Sequence, residues 1–98
     1  MDDLDRLRER VASQSWNAHS DQWQTIRNAR PIPPAAQQQR LSTPEPVQAW
    51  IVWERDGLEL VDTDATYYAG RDVLVTLSDR RWRTHGVWLI AQDVRRRA

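Results

Sequence analysis

The sequence predicts an α+β chain: a helical N-terminal arm over residues 1–30, an extended Pro-rich connector over 31–46, and a small five-strand β-barrel over 47–98. Three observations lead there. All five Pro lie between Pro31 and Pro46, all three Gly (Gly57, Gly70 and Gly86) follow that stretch, and the apolar period changes across it from helical to two. Ninety-eight residues is one small domain's worth of chain, too short for a second independent core.

In the arm, Leu4, Leu7 and Val11 recur at helical spacing, with Asp2 and Asp3 where a helix N-terminus favours negative charge. The pattern loses phase in SQSWNAHS, whose Ser and Asn residues compete with the backbone for hydrogen bonds. Trp16, Trp23 and Ile26 then form a second apolar stripe, and Ser20 with Asp21 suits a fresh helix cap. Two helical pieces, or one kinked helix, are expected. In the connector PIPPAAQQQRLSTPEP, Pro removes amide donors and keeps the preceding residues out of helical angles, leaving room only for a short turn around Ala35 to Arg40.

Beyond the connector, Val47, Ala49, Ile51 and Trp53 alternate with Gln48, Trp50, Val52 and Glu54, which is a strand ending in the turn ERDG. A long second strand runs from Leu58 to Ala69, with Val61, Thr63, Ala65 and Tyr67 on one face. Leu58 and Leu60 have the opposite parity, so a bulge or bend near Leu60 is expected if both sets are to reach one core. Gly70 turns the chain into a third strand, VLVTL. A polar loop, SDRRWRTHG, precedes a fourth strand over Val87 to Ile90. Ala91 to Asp93 suits one tight helical turn before a short closing strand from Val94. Since every strand and every Gly turn lies there, residues 47–98 are expected to fold without the arm.

This order, a long bent second strand, two shorter strands and one turn before a last short strand, resembles the Src-homology-three-like barrels, including Tudor-type modules. The resemblance covers Val47 to Arg97. It implies a small closed barrel but no proline-peptide site, because an ALYDY-like opening is missing and GVWLIAQDV has no Pro where the signalling domains carry one. The segment WRTHGVWLIAQDVRRR also resembles the ends of uncharacterised small actinobacterial proteins, some accompanying mobile elements, which implies no activity.

Composition narrows the function classes. There is no Cys, hence no disulfide framework, thiolate nucleophile or Cys-based zinc site. The opening MDDLDRLRER lacks the apolar core of a signal peptide and no stretch is apolar enough to span a membrane, so a cytoplasmic protein with no membrane partner is expected. Net charge is zero, which argues against binding nucleic acid by overall charge alone. The charge is nonetheless polarised: residues 41–70 carry one Arg against six acids, and 71–98 carry seven Arg against three. Opposed strands pairing internally account for this as well as a dipolar binding surface does.

Chemistry-bearing constellations are sparse. Asp62 and Asp64 share a strand face, but neither a His nor a Gly-bounded ligand loop accompanies them. Phosphate loops, dinucleotide fingerprints and nucleophile motifs are absent. No cofactor or small-molecule substrate is implied. A hydrolase centred on Asp62, Asp64 and His85 is the least expected class. The sharpest local signal is Arg80, Arg81, Trp82 and Arg83 with His85 nearby: guanidinium groups grip phosphate and Trp stacks on bases, so the loop suits nucleic acid or an acidic protein partner. Arg95, Arg96 and Arg97 are candidates to extend it. The structural alternative for Trp82 is a lid over the barrel end. Six Trp exceed what so small a barrel hides, so Trp50, opposite in parity to Trp53, is expected to point outward. With Leu4, Leu7, Val11, Trp16 and Trp23 it forms the expected contact set for a protein partner or a second copy. The sequence therefore reads first as a non-catalytic interaction or assembly module, and second as a nucleic-acid-binding module using the Arg80–His85 loop.

Overall fold

Alternation decides the first element. In the computed structural model, which describes residues 22–97, strand β1 spans Gln39–Trp53, and its Val47, Ala49, Ile51 and Trp53 are each 3% exposed or less. Strands β2 (Gly57–Ala69), β3 (Asp72–Thr76), β4 (Gly86–Ile90) and β5 (Val94–Arg96) follow, with 3-10 turns at Ala35–Gln37 and Ala91–Asp93. The five strands form one antiparallel sheet in the order β4-β3-β2-β1-β5. Its buried side is built from the β1 set with Ala65, Val75, Leu77, Val87 and Leu89. Among the described residues no helix is long and apolar enough to cross a membrane.

Two turns rest on glycine. Gly57 (φ 78°) and Gly70 (φ 59°) occupy the left-handed region that a Cβ disfavours. Gly70 and Arg71 alone join the paired residues Ala69 and Asp72, the two-residue hairpin geometry that takes Gly first. These turns fall where the sequence places them.

The bulge does not. β1 and β2 pair without interruption from Glu45↔Ala65 to Trp53↔Gly57, and the irregularities sit between Arg40 and Glu45 and between Ala65 and Tyr67. Leu58 and Leu60 are therefore never turned toward the core. They stay on the outward face beside Val52 and Trp50, and Leu58 is 64% exposed. β1 also starts well inside the Pro-rich stretch, its Gln39 and Arg40 pairing with Tyr68 and Tyr67.

Residues 23–30, expected to continue a helical stripe through Trp23 and Ile26, contain no helix. The donors and acceptors of this stretch are spent on the sheet. Ile26 forms an antiparallel bridge with Trp53, Arg27 N–H donates to Val52 O (2.7 Å), and Glu54 N–H donates to Thr25 O (2.8 Å). Asn28 replaces a strand residue with its side chain, donating from Nδ2 to Trp50 O (2.8 Å) and accepting at Oδ1 from Val52 N–H (2.9 Å). β5 covers only Val47 to Ala49 of this edge, so the segment takes over where β5 stops. Arg30 N–H then donates to Trp88 O on β4 (2.7 Å), linking the far edge of the sheet to β1. Burial supplies the reason: Ile26 is 2% exposed within the same core as Ile51 and Leu89, a position open to an edge segment. The rest of the expected arm, with Leu4, Leu7, Val11 and Trp16, lies outside the described residues.

The candidate binding cleft

The β3–β4 loop is closed at its neck by Leu77 N–H donating to His85 O (2.8 Å), one step beyond the last pair, Thr76↔Gly86. Inside the loop Asp79 organises the turn. Its Oδ1 accepts from the Arg81 backbone N–H (2.8 Å), and its carbonyl accepts from Trp82 N–H (3.0 Å). This conformation sends Arg81 inward, away from its neighbours in the Arg cluster.

Arg81 engages three carboxylates. Its Nη1 lies 3.1 Å from Asp56 Oδ2 in the β1–β2 turn, and its Nη2 lies 2.8 Å from both Glu59 Oε1 on β2 and Asp79 Oδ2. Nε donates to Asp79 Oδ1 at 2.9 Å, making that pair bidentate. The guanidinium stacks 4.0 Å from the centre of the Trp53 ring, whose Nε1–H donates to the same Glu59 oxygen (3.0 Å). Buried Gln24 staples the assembly from the other side. Its backbone N–H donates to Arg81 O (2.8 Å), and its Oε1 accepts from Arg55 N–H (3.0 Å) and Asp56 N–H (3.2 Å).

The titrations follow this wiring. A hydrogen bond from the Gln24 side chain, then the Arg81 guanidinium, hold the Asp56 carboxyl below its ordinary range. Hydrogen bonding by Arg81 holds Asp79 down in the same way, and Arg81, bonded first to Asp79 and then to Glu59 and Asp56, is pushed further up. All three groups are locked in their charged forms at neutral pH.

With Arg81 drawn in, Trp82 and Arg83 flank a cleft of about 390 Å³ opposite Trp23, with Glu54, Thr25 and Thr84 in its walls. Half-buried Trp82 packs against the core while its Nε1–H donates to Gly86 O (2.8 Å), an acceptor shared with Thr84 Oγ1 (2.9 Å). The indole thus has the packing of a lid and still presents a wall to the cleft. The Arg83 guanidinium sits 5.3 Å from the centre of the Trp23 ring. Arg80 and His85 are exposed and border a shallower hollow of about 260 Å³ on Trp82's other flank.

The remaining candidates lie elsewhere. Arg95, Arg96 and Arg97 engage the β1–β2 surface: Gln48 Oε1 (2.8 Å), Glu45 Oε1 (2.5 Å) and Asp64 Oδ1 (3.7 Å) respectively. Asp62 accepts from Gln48 Nε2 (3.0 Å), and no group of three or more His, Asp or Glu that could hold a metal ion exists among the described residues. Trp50 stands on the outward face, half-buried. Trp88 opposes Val87 and Leu89 in parity yet is only 5% exposed; it pairs with Leu74 on β3 and shares a pocket wall with Trp82 and residues 29–32.

Sequence reasoning passed over Gln24, Asp56, Glu59 and Asp79, the partners that decide what Arg81 does. One signal was available: Glu59 shares the inward parity of Ile51 and Trp53, and an acid on that parity requires a cationic or donor partner. Comparison with family models, with curated proteins and with solved structures finds no match.

Proposed function

We propose that the chain is a non-catalytic interaction module, built as an SH3-like barrel, that holds an extended stretch of a partner polypeptide between Trp23 and Trp82. The sheet order, with a 3-10 turn directly before the short closing strand, supports the SH3-like reading. The observation that carries the binding reading is a pair of indoles lining one cleft on a frame cross-linked by Arg81. Aromatic side chains held rigid lose little entropy on binding and dominate interface energies. Glu54 and Arg83 in the walls add one acceptor and one donor of opposite charge for the partner's polar groups.

A polypeptide suits this cleft better than nucleic acid. Arg81, the centre of the Arg cluster, is spent on three carboxylates, and Glu54 would repel a phosphate. Selecting displayed random peptides on the folded protein and measuring the best by calorimetry tests the reading. Paired replacement Trp82→Ala and Arg83→Ala should weaken the selected peptide at least roughly tenfold, about 1.4 kcal/mol, with Trp50→Ser leaving it unchanged. Indifference to the paired replacement, or steeply salt-dependent binding of a single-stranded oligonucleotide in place of peptide, would move the assignment to the nucleic-acid reading.

A further inference from the structure

The outward face of the β1–β2 ribbon is apolar over two successive rungs. Trp50 pairs with Leu60 and Val52 with Leu58, all four on the face opposite the core residues Ala49, Ile51 and Trp53. Leu58 is exposed and the other three are half-buried. One rung farther from the turn the same face becomes polar across three strands: Arg95 Nε donates to Gln48 Oε1 (2.8 Å), and Gln48 Nε2 donates to Asp62 Oδ1 (3.0 Å). The row carries a cation at its β5 end and a carboxylate at its β2 end. Among the described residues neither Arg95 nor Asp62 forms an ion pair.

We propose that this face is the contact surface of a homodimer. Its chemistry is complementary to itself. A two-fold axis lying in the contact plane, parallel to the strands and passing over β1, sets Trp50 and Val52 of one copy against the same residues of the other, with Leu58 and Leu60 flanking them, and turns the charged row end for end. Arg95 of one copy then approaches Asp62 of the other, and the reciprocal pair forms on the other side of the axis. An in-plane axis perpendicular to the strands cannot satisfy both features: through the charged row it opposes Arg95 to Arg95, and through the apolar rungs it carries the row away from its counterpart, so the row selects the register as well as the partner. Trp50 and Val52 supply the apolar centre with Leu58 and Leu60 at its flanks, and the polar row supplies one rim, the usual division of an interface. The contact uses none of the residues lining the Trp23–Trp82 cleft, so the two sites operate independently.

Light scattering and sedimentation of the full chain test the proposal. The wild type should be dimeric. Leu58→Asp, at an exposed position, should give a monomer with the circular dichroism of the wild type. Arg95→Asp should weaken association roughly tenfold, and adding Asp62→Arg to it should restore the wild-type constant, because the exchange re-forms both pairs in the opposite sense. A wild type that stays monomeric at millimolar concentration, whatever covers the face instead, would overturn the proposal. So would a Leu58→Asp protein that remains dimeric, or a charge exchange that recovers nothing.

Discussion

Among the described residues two regions are rich in arginine, the β3–β4 loop and the stretch from β5 to Arg97, and they use the same side chain in opposite ways. In the loop, Arg81 is four-fifths covered, touches three carboxylates from three parts of the chain and lies on the Trp53 ring. On β5, Arg96 is 82% exposed with one carboxylate partner, and Arg97, just past the strand, reaches Asp64 only at 3.7 Å. An exposed pair gains little over water, because solvent screens it and both side chains lose freedom. A covered guanidinium with several partners cannot be given up so easily, since its loss leaves the largely covered Asp79 without its bidentate partner. Arginine content therefore distinguishes nothing by itself. Burial and the number of carboxylates in reach do.

Breaking the loop side of this comparison should have the largest effect. Arg81→Met keeps much of the volume but removes every ion pair, and should lower the unfolding free energy by about 2–3 kcal/mol in urea denaturation. The pH dependence should change with it. Asp56 and Asp79 are held below the ordinary 3.8, so the stability they contribute is complete at neutral pH. It begins to fade as pH drops toward 3.8, and is lost as pH falls through the lower folded-state values. Arg81→Met should flatten this acid limb, which melting curves between neutral and acidic pH would reveal. Next in size is Trp82→Ala, which removes a half-buried indole and its bond to Gly86 and should cost about 1–2 kcal/mol. On the β5 side, Arg96→Ala should cost less than about 1 kcal/mol, and that small loss should vanish at high salt.

Strands were the legible part of this molecule, because alternation and glycine report directly on a half-buried sheet. Val47 to Trp53, the turns at Gly57 and Gly70, the tight turn at Ala91–Asp93 and the closing strand at Val94 all follow from pattern. Residues 22–30 were not legible. Trp23 and Ile26 are spaced as a helix face would space them, but Ile26 is claimed by a core that assembles from distant strands, and local spacing carries no record of that demand. The Leu58 and Leu60 error has the same origin: apolar parity marks what prefers burial, and a chain this short leaves some of it on the outside. At the site, Trp82 and Arg83 were legible as unusual, whereas the role of Arg81 depended on carboxylates brought from the β1–β2 turn and from β2 by the sheet register.

Glu59 is where the cross-link meets the sheet, since its Oε1 takes both Arg81 Nη2 and Trp53 Nε1–H. A double-mutant cycle between Arg81→Met and Glu59→Gln, read by urea denaturation, measures that link apart from the packing of either residue. The coupling should exceed about 1 kcal/mol, well above that of a matching cycle between Arg96→Ala and Glu45→Gln. Equal couplings near zero in both cycles would contradict the claim that Arg81 fixes the end of the sheet on which the Trp23–Trp82 cleft is built.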